Sequence, residues 1–136
     1  MNSKEIVESL VKNFGNPPKI LALLSEQAIW TLHTGSMPPG GIYRGHAEIS
    51  GLMEQVFGGV YQPETVSVDI FQAIGGATEA AVRFQLNAIT TWGATYANDY
   101  AIFVEITEGK ISKVHELLDA TNAADQLAAD APEAIK

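Results

Sequence analysis

The side chains best suited to chemistry in this 136-residue chain gather towards its C-terminal end. The stretch YANDYAIFVEITEGKISKVHELLD, Tyr96 to Asp119, reads as two strands joined by a tight turn, with Asn98, Tyr100, His115 and Asp119 set among Ile, Phe, Val and Leu. Asp119 closes the last strand after Leu117-Leu118. A carboxylate half buried there would have a raised pKa suited to proton transfer. The same carboxylate can equally cap the following segment, ATNAADQL. Alternation puts His115 and Asp119 on one face with Leu117 between them. A histidine beside a carboxylate is a candidate general base, or simply a strand histidine at the solvent edge. Asn98 and Tyr100 share a face of the preceding strand, and Asp99 lies on the other. Tyr100 can donate to a substrate carbonyl or enolate, or serve as an amphipathic aromatic in the sheet.

An earlier strand adds Arg83, Gln85 and Asn87 on one face and Val82, Phe84 and Leu86 on the other. One reading sends the polar set to solvent and the apolar set to the core. In the other, Arg83 enters a pocket and needs a carboxylate partner, which Asp119 or Asp69 can supply. Trp30 reads as cavity wall or core, with His33 on the opposite face of its strand, and Tyr43 flanks a Pro/Gly loop as a candidate mouth. His46 and Glu48 sit in the first turn of a helix, where the acid suits the dipole. No metal site is expected: His33, His46 and His115 lie far apart in sequence, without His-x-His or His-Glu-x-x-His spacing. PPGG and FGGV lack the lysine of a phosphate loop.

These residues need elements to hold them. Asn2 and Glu5 have capping-box spacing, and Ile6, Leu10, Val11 and Phe14 follow at helical intervals to Gly15-Asn16. Pro17-Pro18 opens a second helix carried by KILALLSEQ, and AIWTLH then alternates as a short strand. TGSMPPGG is a loop. YRGHAEISGLMEQVFGGV gives a third helix with Ile49, Leu52, Met53, Val56 and Phe57 as its buried stripe. From residue 64 the period becomes two: TVSVDIFQAI, EAAVRFQLNAITTW, TYANDYAIFVEIT and KISKVHELLD are four strands, turning at Gly75-Gly76, Gly93-Ala94 and Glu108-Gly109. Helices first and an antiparallel meander after give an α+β fold, helices on one face of a curved sheet. The alanine-rich tail begins as a short helix and is expected to be flexible from about residue 128.

Bulk properties bound the partners. A length of 136 residues, 46% hydrophobic and 18% charged, suits one globular domain over 1–136. Sixteen acidic and 8 basic residues leave a net charge of −8, which argues against nucleic acid and anionic membranes. The chain has no cysteine, so thiolate chemistry and disulfides are excluded and a reducing cytoplasm fits. Its first residues mix charge throughout and do not read as a signal peptide. No apolar run approaches a membrane span.

The order of elements, with ILALLSEQAIWTL, YRGHAEISGLMEQVF and FVEITEGKISKVHELLD, resembles the nuclear transport factor two-like superfamily of ketosteroid isomerases, limonene epoxide hydrolases and SnoaL-like polyketide cyclases. The resemblance spans nearly the whole chain. It implies a cone in which a curved antiparallel sheet and three N-terminal helices enclose an apolar pocket. It would put Arg83 and its polar neighbours in that pocket, and Val82, Phe84 and Leu86 against a second subunit in a homodimer. The hydrolase branch pairs an acid near Asp119 with an Arg-x-Asp. This chain has Arg83-Phe84-Gln85 there, and a glutamine can orient water but cannot take its proton.

The expectation is a cofactor-independent enzyme for a small hydrophobic carbonyl compound, working by proton transfer in isomerisation or cyclisation. Asp119 or His115 would move the proton. Tyr100, Arg83 or Gln85 would polarise the oxygen, and Trp30, Tyr43, Asn98 and Leu117 would line the pocket. Epoxide opening by water is a second option. A non-catalytic ligand-binding or protein-interaction domain is the rival class.

Overall fold

The structure, a computed structural model, describes residues 1–128 and 131–132; the expected flexible tail falls largely outside the described residues. Four α-helices and six strands follow the order α1 (Ser3–Lys12), α2 (Pro17–Leu23), β1 (Leu24–His33), β2 (Gly41–Arg44), α3 (Gly45–Val56), β3 (Ser67–Gly75), β4 (Glu79–Ile89), β5 (Thr95–Thr107), β6 (Lys110–Leu118) and α4 (Ala120–Ala128). No helix among the described residues is long and apolar enough to cross a membrane.

Local chemistry sets the helix starts. Asn2 accepts from the Glu5 amide at 2.8 Å while Glu5 accepts from the Asn2 amide at 3.0 Å, a capping box that satisfies two otherwise orphaned donors. Asn16 caps α2 ahead of Pro17 by accepting from the Lys19 amide. At the other end of the chain, Glu108 (φ 53°) and Gly109 (φ 78°) make the two-residue turn that joins β5 to β6. Positive φ at both positions matches the twist of a hairpin.

The six strands form one open sheet in the order β2-β1-β6-β5-β4-β3. It is mixed rather than purely antiparallel: β1 runs parallel to β6, and every other pairing is antiparallel. Four-residue β2 was not legible in the sequence because Gly, Ile, Tyr and Arg carry no alternation long enough to count. β1 begins at Leu24, earlier than AIWTLH implied, because a register shift between Leu24 and Ile29 interrupts the alternation.

Helices and sheet bury one core. Ile6, Val7, Leu10 and Val11 of α1 and Ile49, Leu52 and Met53 of α3 meet Trp30, Phe84, Leu86, Tyr96 and Ile102 of the sheet. Val82, Phe84 and Leu86 are all buried on this inner face, not exposed to a second subunit as the family resemblance implied. Arg83 is exposed on the outer face, and Gln85 and Asn87 lie half-buried beside it. The reason is the apolar stripe of α1, which packs over β3 and β4 and must be met by the apolar side of those strands. Phe14 shows this packing: its ring stands edge-on to Phe84 at 5.8 Å and tilted to Trp30 at 6.4 Å.

Candidate functional site

Between the inner face of the sheet and the helices the fold leaves a cavity of about 750 Å³, within the range of small-molecule sites. Its floor carries Trp30, Leu32, Leu86, Tyr96, Tyr100, Glu116 and Leu118. Its walls come from Phe14, α3 and the segment from Phe57 to Tyr61. Its rim is formed by Thr34 and Met37 to Pro39 on one side, and by Ala123, Ala124, Leu127 and Ala128 of α4 on the other. Among these lining residues the only carboxylate is Glu116, and no lysine, arginine or histidine lies with it.

Register explains how an acid reaches this interior. Glu116 pairs with Leu32 on β1 and Ile102 on β5, both buried, so its side chain shares their inward face. Val114 and Leu118 flank it on the same side. The Trp30 indole Nε1 donates to Glu116 Oε1 at 2.9 Å, and among the described residues no other group donates to this carboxyl. Burial in protein therefore pushes its pKa up from 4.5 to about 7, and the Trp30 hydrogen bond pulls the other way.

Beside it on the same inner face lies a cluster of tyrosines. The Tyr96 and Tyr100 hydroxyls are 2.8 Å apart, and the Tyr61 and Tyr96 rings are 5.1 Å apart. Desolvation holds all three phenols above their ordinary range, Tyr61 and Tyr100 well above it. They are therefore neutral donors at pH 7.

Asn98 orients the cluster. Its Oδ1 accepts from the Asp99 amide at 2.9 Å and its Nδ2 donates to the Asp119 carbonyl at 3.0 Å. Backbone groups have fixed roles, so the amide cannot be flipped. Nδ2 also donates to the Tyr96 oxygen at 3.0 Å, which fixes the phenol pair in place while either hydroxyl can donate to the other.

The same network fastens α4. Asn122 Nδ2 donates to Asn98 Oδ1 at 2.9 Å. Gln126 grips the Ala97 backbone at both its amide, 3.0 Å, and its carbonyl, 2.7 Å. Asp119 Oδ1 accepts from the Asn122 amide at 2.9 Å, so the carboxylate is the helix cap.

The sequence-based candidates divide by face. Trp30 and Tyr100 line the cavity, and Asn98 stands directly behind the tyrosines. The others lie outside the lining. Arg83 sits 5.2 Å over the Phe71 ring on the outer face. Gln85 pairs with Asp99 and Asp69 there, and Asn87 donates to Asp69. Leu117 is exposed. His115 meets His33 across the outer face at 3.0 Å. Tyr43 is tied by its hydroxyl to the Pro39 carbonyl, bracing the rim from behind. His115 and Asp119 thus give way to Glu116 as the acid that faces the cavity.

Sequence reasoning missed Glu116, Tyr96 and Tyr61. Tyr96 was readable, since it lies two and four residues before Asn98 and Tyr100 and must share their face. Glu116 was readable from Val114 and Leu118, its apolar neighbours at the strand period. Tyr61 sits in an isolated bridge to Thr90 and carries no periodic signal.

A SnoaL-like domain family model matches residues 9–114. The chain belongs to the SnoaL-like domain family. Solved structures agree on the fold. A polyketide cyclase candidate from Pseudomonas putida superposes with a TM-score of 0.78 at 24% identity, covering 93% of this chain and 98% of its own. TerC, co-crystallised with polyporic acid, gives 0.78 at 18% identity, covering 92% and 97%. A Catenulispora acidiphila protein of ketosteroid isomerase-like fold, in complex with trimethylamine, gives 0.77 at 17% identity, covering 96% of each chain. None of the curated proteins matches the chain significantly. This SnoaL-like domain accordingly has an isomerase- or cyclase-type fold, and its cavity is built from its own residues as described above.

Proposed function

We propose that this SnoaL-like protein is a cofactor-independent enzyme that moves a proton next to a carbonyl in a small, uncharged, hydrophobic substrate. One observation carries the reading: a single carboxylate, Glu116, lines the same apolar cavity as a hydroxyl donor, Tyr100, and desolvation there raises its pKa to about 7. A base is most effective when its pKa lies near the working pH, and a neutral phenol in a dry site stabilises a developing enolate oxygen.

The ionised Glu116 takes the proton from the carbon beside the carbonyl. Tyr100 donates to the carbonyl oxygen as charge builds there, with Tyr96 donating to Tyr100 behind it. The enolate is then reprotonated by Glu116 at another carbon, which is isomerisation, or attacks a second carbonyl, whose alkoxide takes the proton back from Glu116, which is cyclisation. Trp30 holds the carboxylate in place throughout. Both outcomes need the same two groups, so the test is common to them. Deuterium exchange into cyclic enones and aromatic diketones, followed by NMR, should be catalysed by the protein and lost on Glu116→Gln. Exchange undiminished in that variant would end the proposal.

A second reading keeps the cavity and removes the chemistry. An apolar, aromatic-walled cavity with one carboxylate also suits a hydrophobic ammonium ion, through cation–π contacts and ion pairing, and a fold relative was solved with trimethylamine. A binder of that kind would take up the amine and show no exchange on any carbonyl compound.

The homodimer expected from sequence is proposed on the outer sheet face. There Ile74, Ala81 and Phe103 form one cross-strand row, in which Ile74 and Phe103 are 59% and 52% exposed. An open row of this kind is the surface a second copy would cover.

A further inference from the structure

His33 and His115 are 82 residues apart in sequence, yet the parallel pairing of β1 with β6 sets them side by side. Thr31 pairs with His115 and His33 with Leu117, so the two histidines are diagonal neighbours on the outer face. His33 Nε2 and His115 Nδ1 stand 3.0 Å apart, and the rings are near parallel, 29° between planes with centroids at 5.3 Å. Both belong to hydrogen-bonded strands, which fixes the separation of their backbones. His33 is exposed and His115 half-buried, so an ion in water can reach the pair. The site lies on the opposite face of the sheet from Glu116 and is independent of the proposed proton-transfer chemistry.

We infer that His33 and His115 form a two-histidine site for a divalent transition ion of the copper or nickel class, held by His33 Nε2 and His115 Nδ1. Bite and ligand affinity together point to the class. Two nitrogens 3.0 Å apart, each about 2.0 Å from a shared ion, subtend about 95° at it. That is the angle between neighbouring ligands in a tetragonal site, which suits Cu²⁺ and Ni²⁺. Tetrahedral Zn²⁺ would need a wider separation. Imidazole is the matching ligand, and Cu²⁺ stands at the top of the affinity order for nitrogen sites. Water would fill the remaining positions, since no carboxylate completes a cluster of three ligands among the described residues.

The proton bookkeeping is closed. In the neutral pair one of the two facing nitrogens carries a hydrogen and donates it to the other. To present two lone pairs, that ring shifts its proton to its second nitrogen, and each ring turns about its terminal torsion, which has a broad minimum, to aim its lone pair off the line between the nitrogens. No proton is lost and no redox change occurs.

The experiment is a titration of the full chain with CuSO₄, followed by calorimetry and electron paramagnetic resonance. The expected result is one equivalent bound, a tetragonal spectrum with coupling to two imidazole nitrogens, and a raised melting temperature. His33→Ala and His115→Ala should each weaken binding by at least about tenfold, while His46→Ala, whose ring meets the Leu24 carbonyl, should leave it unchanged. Wild-type affinity in the His33→Ala, His115→Ala double variant would show binding at the chain terminus or elsewhere and overturn the assignment. A spectrum with fewer than two imidazoles would overturn it too. Because the melting shift is read on the unaltered protein, a variant that failed to fold would not shield the proposal.

Discussion

Replacing Glu116 by glutamine should stabilise the protein, and increasingly so as the pH rises. The folded chain holds this carboxyl with a pKa of about 7, against 4.5 ordinarily. Between those values the unfolded chain has released the proton and the folded chain has kept it. The unfolded state therefore binds fewer protons, and stability falls as pH increases. The group's full contribution is present below pH 4.5 and is gone once the pH has passed through about 7. At about 1.4 kcal/mol for each tenfold change in proton affinity, the displacement amounts to about 3 kcal/mol. Glutamine matches the shape, can still accept from Trp30 Nε1, and carries no charge to desolvate. For a chain of this length about 3 kcal/mol corresponds to about 10 °C in Tm. The assay is differential scanning fluorimetry of both proteins from pH 4 to pH 9. Subtracting the two curves cancels every other titrating group. The difference should be near zero at the acid end and climb through neutral pH to a plateau. A flat difference would mean that Glu116 ionises freely in the fold, and the argument for a neutral-pH base would fail with it.

Trp30→Phe removes the one N–H that favours the ionised form of Glu116, so the acid limb of the exchange-rate profile should move to higher pH, as a pH–rate series would show. Tyr100→Phe should lower kcat by about a hundredfold with little change in KM, the pattern of a donor used mainly in the transition state, measured by steady-state kinetics on any compound that exchanges. Asp119→Ala should cost about 1 kcal/mol through loss of the α4 cap, seen as a few degrees in Tm, and should leave the pH midpoint of exchange where it was. Ile74→Lys with Phe103→Lys should turn a dimer into a monomer by light scattering without changing the melting profile's pH dependence; a dimer that survives both would place the interface elsewhere.

The architecture was legible because long periodic segments dominate it. All three N-terminal helices and the β5–β6 hairpin follow from spacing and from Glu108-Gly109. The site was half legible. Tyr100, Trp30 and Asn98 were found because each is a polar or aromatic group inside an apolar alternation. His115 and Asp119 were favoured over Glu116 because alternation defines two faces without saying which is inner. In β6 that choice is made by Leu32 and Ile102 on neighbouring strands, one of them 84 positions away in register. A strand read alone does not contain its partners. The same applies to Arg83: its face was identified correctly as a set, and only the packing of α1 decides that the set looks outward. His33 and His115 repeat the lesson, since a parallel seam can join side chains that sequence distance appears to separate.

The grip of Gln126 on both sides of the Ala97 peptide unit, with Asn122 holding Asn98, means the last helix is wired into the phenol pair as well as forming part of the rim. A change that strains or shortens α4 therefore acts twice, on the rim that Leu127 and Ala128 form and, through Asn122 and Asn98, on the Tyr96–Tyr100 pair.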